Sequence, residues 1–332
     1  MKLIISILLT YCVLCTVQCS GQVKTNNSGS PLKLITTVLL PDVSGRIDHM
    51  AFNSQKQLVY VAALGNNTLE VIDLKNRKVI HSIKGLSEPQ GIRYVPDNNT
   101  IFVANGGNGE CRIFNADSYQ QLASVKLGDD ADNVRYDPAS KRIYVGNGEG
   151  SIAVIDAISF KLLADIKLPA HPESFQLEKA KIYVNVPNAR LVEVIDVGKF
   201  MISATWKVDE ATANFPMALD TMHHRLFIGC RHPAKLLVLN TETGKTITSL
   251  DTDSDTDDLF FDYFSKQLYM SCGNGSIVVF QQVTPDKYET VSKTETRSGA
   301  RTSLYIPELN QLVVAAPARF GKEAQLMIYG RR

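Results

Sequence analysis

Aspartate, glutamate and histidine recur at matching positions along this chain, and those positions are where chemistry is expected. The candidate ligand-binding set is Asp48 and His49, Gln90, Asp132 and Asn133, His171 and Glu173, Asp257 and Asp258, and Arg301. Carboxylate oxygens converging from separate segments suit Ca²⁺, while an imidazole among them suits a transition metal. Asp48, His49, His171 and Asp257 form the metal-ligand expectation, which makes a divalent ion the implied cofactor. His171 stands in Ala170-His171-Pro172-Glu173-Ser174, a stiff pre-proline position two residues from a carboxylate, where the pair can hold a metal or move a proton. Arg301 is the cation of the set and can neutralise Asp257 or Asp258, or grip an anionic ligand with two N–H groups. The competing assignment for each Asp and Asn is a turn cap that accepts backbone amides. No nucleophile elbow, histidine pair at helical spacing or haem-attachment motif is present, so no catalytic residue is assigned.

The elements that position these residues repeat. Phe52, Tyr94, Tyr136, Leu177, Leu219, Phe261 and Tyr305 fall 42, 42, 41, 42, 42 and 44 residues apart. Each ends a first strand, and a second follows about seven residues later, as in Val59-Tyr60-Val61-Ala62-Ala63 or Ile143-Tyr144-Val145-Gly146-Asn147. Near-continuous apolar, β-branched and aromatic runs suit strands covered on both faces. A third strand closes on Val71-Ile72-Asp73, Val154-Ile155-Asp156 or Val194-Ile195-Asp196, and an edge strand completes the unit. Four short strands per 40 to 45 residues predict an all-β seven-bladed β-propeller, each blade burying its faces only against its neighbours. The seventh unit stops after its third strand near Tyr329. Residues 34–40 resemble the edge strand Lys78-Val79-Ile80-His81-Ser82-Ile83, so the N-terminal strand is expected to close the ring and remove exposed edges. The ligand set lies four or three residues before the anchors, with His171 two positions earlier, around one mouth of the channel.

Residues 1–21 carry Lys2, an apolar run over 3–17 and small residues, the pattern of a cleaved export signal. Cys19, followed by Ser20 and Gly21, also resembles a bacterial lipoprotein junction, which would make a lipid on Cys19 the one membrane attachment. Residues 22–31 read as a flexible linker and 32–332 as one propeller domain. The expected location is the periplasm or cell surface. Of six cysteines, three fall in the leader; Cys111, Cys230 and Cys272 read as buried structural thiols. The 35 basic and 34 acidic residues, a net charge of +1, give no bulk sign of nucleic-acid binding. The glycine-rich segments Asn105-Gly106-Gly107-Asn108-Gly109 and Asn147-Gly148-Glu149-Gly150 lack a following helix and read as hairpin turns, not phosphate cradles. His223 and His224 are expected in a solvated turn on the far face, and His232 at the outer margin of the mouth.

The second-strand cores, the Val-Ile-Asp closings, and segments such as Arg46-Ile47-Asp48-His49, Asp129-Asp130-Ala131-Asp132-Asn133-Val134-Arg135-Tyr136-Asp137 and His171-Pro172-Glu173-Ser174-Phe175 resemble the YVTN-repeat, YncE-like family of exported bacterial seven-bladed propellers. The resemblance runs from residue 32 onward, with a turn two residues short in the fourth unit. It is specific for fold and implies no one activity. The expected function is a monomeric exported binding module presenting its acidic, histidine-containing channel face to a small molecule, a metal ion or another exported protein. The alternatives are a divalent-metal-dependent hydrolase of lactonase type and an accessory subunit of a periplasmic redox system.

Overall fold

A computed structural model describes residues 31–331. The expected export signal at 1–21, Cys19 and all of the 22–31 linker except Pro31 lie outside the described residues. The remainder is all-β, seven four-stranded antiparallel sheets whose innermost strands touch in a closed cycle, a seven-bladed β-propeller. Blade one shows the order from axis to rim: Met50–Asn53, Leu58–Ala63, Thr68–Asp73 and Lys78–Ile83. Blade seven is composite. Thr302–Ile306, Gln311–Ala316 and Ala324–Arg331 are followed at the rim by Leu32–Leu40, which pairs antiparallel with Ala324–Arg331, Leu32 opposite Arg331 and Leu40 opposite Ala324.

Side-chain alternation explains the stacking. In the second strand of blade one, Val59 and Val61 face blade seven, whereas Tyr60 and Ala62 face blade two. The same alternation fills every gap between neighbouring blades with its own apolar cluster. Each fully buried Val, Leu or Ile contributes roughly 1.5–3 kcal/mol relative to an exposed one, so the ring is held by its interfaces and not by a central core. Tyr60, Tyr144, Tyr183 and Tyr269 occupy one register of the second strands and are fully buried. Rim strands are covered on one side, as the alternating burial of Met201–Lys207 shows.

Polar residues ending the third strands start the next turn by capping it. Asp156 Oδ1 accepts the backbone N–H groups of Ile158 and Ser159 at 3.1 and 2.6 Å, and Asp196 and Asn240 repeat the arrangement. The short turn of blade four is a two-residue hairpin between Phe175–Glu178 and Lys181–Val186, with Lys179 left-handed at φ 51°. The glycine-rich segments are likewise strand-to-strand turns. Among the described residues no helix is long and apolar enough to cross a membrane.

Candidate functional site

The backbone entering each blade aims the candidate side chains. Asp48 donates its N–H to Ala62 O (2.8 Å), while Ala62 donates to His49 O (3.1 Å), so two residues stand opposite one. The same one-residue bulge sets Asp132 and Asn133 against Gly146, and Glu173 and Ser174 against Asn185. The pairings of blades two, five and six also shift register at this level, between Pro89 and Ile92, Asn214 and Met217, and Thr256 and Asp258. A bulge bends its strand and redirects the side chains of the extra residue, here at the channel mouth. Two residues earlier the chain turns through left-handed geometry at Glu88, Asp130, Ala213, Asp255 and Gly299. His171 holds that register in blade four without positive φ, as a residue before proline must.

Asp48, His49 and Asp132 come together: one ligand atom from each lies within 4.8 Å of the other two. His49 Nε2 is 3.8 Å from Asp48 Oδ1 and 3.5 Å from Asp132 Oδ1, and Nδ1 is 3.6 Å from Asp258 Oδ1. Asp48 is 1% exposed and Asp132 7%. Asp132 Oδ1 has no hydrogen-bond donor, and Asp48 Oδ2 meets Arg46 Nη2 at 2.8 Å as an ion pair without an aligned hydrogen bond. Burial opposes the imidazolium, but Asp258, Asp132 and Asp48 outweigh it and carry the His49 pKa up to about 10. Burial, countered in part by His49, raises Asp132 to about 6.

A second group of charges lines the other side of the same cavity of about 190 Å³. Asp257 bridges two guanidinium groups, with Arg231 Nη2 at 2.6 Å from Oδ1 and Arg301 Nε at 3.0 Å from Oδ2. Arg301 also reaches Asp255 at 3.0 Å, and Arg231 lies over the Phe215 ring, 3.8 Å from its centroid. Arg301 therefore neutralises Asp255 and Asp257; the nearest partners of Asp258 are His49 and the Ser303 backbone N–H, at 2.7 Å. Burial and the Asp48 charge raise Asp257 to about 6 despite the two arginines. Burial, with Asp132 and Asp257 nearby, holds Glu173 well above the usual carboxylate range.

Every residue of the expected ligand set except Asp258 lines this cavity, and Asp258 lies against His49 at its edge. Of the expected metal ligands, Asp48 and His49 converge with Asp132. His171 instead contacts Gly148 O through Nδ1 (2.7 Å) and faces Asp130 through Nε2 (3.6 Å), and Asp257 is held by the arginine pair. Gln90 donates to Asp130 at 3.0 Å, and the buried Asn133 leaves Oδ1 without a donor. Arg46, Asp130, Ser174, Phe215 and Arg231 also line the cavity and were not in the expected set. Phe215 and Ser174 stand four and three residues before their anchors, and Arg46 and Asp130 two positions earlier, as His171 does, so counting marks them; Arg231 arrives from the end of a second strand and carries no such signal. His223 is not a free turn residue: its Nδ1 sits 2.7 Å from Asp220 Oδ2. The side chains of Cys230 and Cys272 belong to different interblade gaps, blades four to five and five to six, and both are free thiols raised to about 12 by burial. Cys111 is buried and free as well.

No model of a known family matches the sequence, and no curated protein matches it. Among solved structures, a chain in a crystal structure of a mitotic checkpoint complex is similar at a TM-score of 0.76 and 14% identity over 98% of each chain. A chain of the hydrazine synthase of Kuenenia stuttgartiensis is similar at a TM-score of 0.76 and 14% identity, over 88% of this chain and 97% of that one. At such identity the likeness is one of fold, and the chain shares a seven-bladed propeller architecture with both.

Proposed function

We propose that this propeller is a binding module whose channel mouth takes up a divalent cation, free or carried by a small molecule, at Asp48, His49 and Asp132. One observation carries the reading: two almost fully buried carboxylates and an imidazole converge, and Asp132 Oδ1 accepts no hydrogen bond and has only the His49 ring, at 3.5 Å. Burying a carboxylate oxygen that no hydrogen bond satisfies is costly, and a cation held among such oxygens lowers the cost. Two ligands about 2.0–2.2 Å from one ion stand roughly 3–3.5 Å apart, close to the spacings around His49 Nε2. Because His49 stays protonated up to about pH 10, a metal that binds through its ring nitrogen must displace a proton.

Mn²⁺ and Zn²⁺ titrations of metal-free protein, run by calorimetry in buffers of different ionisation enthalpy, test this. The expected result is a single site releasing close to one proton at pH 7, lost in Asp132→Asn. Absence of binding in the unmodified protein would remove the proposal. A second reading rests on Glu173, which lines the same cavity with a carboxyl raised by burial and by Asp132 and Asp257; in its ionised form it would take a proton from a metal-bound water, as in a metal-assisted hydrolase. Turnover of simple lactones that disappears in Glu173→Gln while cation affinity persists would favour it. Export, membership of the YVTN-repeat family and a lipid on Cys19 belong to the same proposal; the mass of the mature N-terminus in the native host tests cleavage and lipidation together.

A further inference from the structure

The face of the ring away from the mouth is formed by the turns that join first strands to second strands, and three residues after each anchor one side chain stands near the apex of that turn. Gln55, Asp97, Ala139, Ala180 and Glu308 hold this place in blades one to four and seven, polar or small as a solvated turn expects. Blades five and six, which adjoin, have Met222 and Phe264 there, and these are 73% and 93% exposed. Asp220 and Asp262 cap the two turns from identical positions, so the backbones match and the side chains depart. Tyr263, exposed beside Phe264, donates its hydroxyl to Leu219 O at 2.7 Å, and Gln282 donates to Asp220 at 3.0 Å, which ties both turns and the exposed Val283 together. A single exposed apolar residue is ordinary, whereas four on adjoining turns form a patch. The carboxylates around it are spent on the protein's own cations: Asp220 meets His223 at 2.7 Å, Asp262 meets Arg331 at 3.2 Å and Asp286 meets Arg225 at 2.5 Å. Lys33 and Lys266, exposed on the same face, have no carboxylate within 4.0 Å among the described residues.

The chain itself points to what meets this patch. Leu32 opens its rim strand opposite Arg331, whose guanidinium holds Asp262, so the N-terminal segment leaves the ring beside the Phe264 turn. Cys19 precedes Leu32 by a stretch that reaches at most about 45 Å, and the apolar run 3–17 lies just before it. We infer that this face docks on a lipid surface, with Met222 and Phe264 entering the interface and Lys33 and Lys266 lying against anionic headgroups. The inference takes its direction from the proposed lipid on Cys19, since one acyl chain holds a protein only marginally and a second, protein-borne contact completes the attachment. Docked this way, the ring turns its mouth away from the bilayer, open to whatever brings the cation.

Vesicles of phosphatidylethanolamine and phosphatidylglycerol, mixed with the full-length chain carrying Cys19→Ser, test the contact without the lipid. The run 3–17 is common to every chain compared, so differences among them report the patch. Phe264→Trp is expected to shift the emission to the blue on vesicle binding and to be quenched by bromine-bearing acyl chains. Met222→Ser with Phe264→Ser, both at exposed side chains and so without cost to folding, is expected to lower vesicle affinity by about tenfold or more. Lys33→Glu with Lys266→Glu should lower it where phosphatidylglycerol is present and not on phosphatidylcholine alone. Phe320→Ser, at an 86% exposed aromatic on the mouth side, should change nothing. Emission of the Phe264→Trp chain that vesicles leave unchanged, affinity unchanged in Met222→Ser with Phe264→Ser, or affinity lost instead in Phe320→Ser overturns the inference. So does self-association abolished by Met222→Ser with Phe264→Ser in a chain that ignores vesicles, which would make the patch a contact between copies. A Cys19 found without lipid in the native host ends the proposed anchor and leaves this result standing.

Discussion

Two levels of one channel are built from the same repeated strand and arrange their charged side chains differently. At the mouth, bulges bring Asp48, Asp132, Glu173 and Asp257 together, and three arginines and His49 compensate them. Farther along the same strands, Arg93 and Arg135 lie past the bulge in regular pairing, where Arg135 feels Asp258 and Asp132 only at a distance and Arg93 shares a cavity wall with Glu308. The difference teaches that a propeller's axis can be polarised without any change in its blades. A bulge frees consecutive residues to converge, whereas regular alternation sends each side chain into the gap beside it.

The largest expected effect comes from removing the acids that define the mouth. Asp48→Asn combined with Asp132→Asn should weaken Mn²⁺ binding by more than about 100-fold in calorimetry, because even indirect contributors to a metal site are worth about 10–100-fold. Next is Gly91→Ala. A Cβ there would stand 2.1 Å from Asp132 O, so the bulge of blade three must shift, with an expected cost of about 1–3 kcal/mol in urea denaturation and weaker cation binding alongside.

Stability against pH sharpens the comparison further. Asp132 and Asp257 have folded pKa values near 6, above the ordinary value of about 3.9, so the folded state holds their protons more tightly. Their stabilising contribution is complete below about pH 4 and disappears as pH rises through 6. His49, raised from 6.5 to about 10, contributes fully below 6.5 and loses its share toward 10. Denaturation midpoints from pH 4 to 7 should therefore decline, and saturating Mn²⁺ should flatten the decline. A curve that rises over this range would contradict the assigned burial of the acids. Arg231→Lys, which gives up stacking on Phe215 and the paired hydrogen bonds to Thr256 O and Asp257 Oδ1, should cost about 1 kcal/mol. The smallest effect belongs to Arg93→Gln, expected to stay within about 0.5 kcal/mol and to stabilise, since it removes an unanswered charge; clear destabilisation would mean that Arg93 supports the fold.

The fold was legible because burial on both sides of every inner strand imposes the same apolar word seven times, and Phe52, Tyr94 and Tyr136 mark its spacing. The mouth was legible for the same reason: counting back from the anchors isolates Asp48, Asp132, Glu173 and Asp257, where the repeat stops repeating. What counting cannot supply is direction. Asp257 and Asp258 are neighbours in sequence, yet one meets Arg231 and Arg301 and the other meets His49 and Ser303, a split set by the bulge. Arg231 escaped notice because it enters from a second strand, outside the counted register. Arg93 and Arg135 sit inside strands whose apolar pattern draws attention away from them. The acids at Asp130 and Asp255 have a backbone reason as well as an electrostatic one, since both residues turn left-handed, a conformation Asp tolerates better than most.

The seventh blade takes its rim from Leu32–Leu40, although its other three strands come from the far end of the chain. The first strand of the described residues thus finds its sheet partner only when the last of them is made, and nearly all of the described chain must be spanned before the two can zip together. Such pairing delays assembly, because the longest loop in the molecule closes last. Once joined, the two termini act as a clasp: no blade can peel away from an end of the array, and opening the disc requires unzipping that seam or breaking an interblade gap.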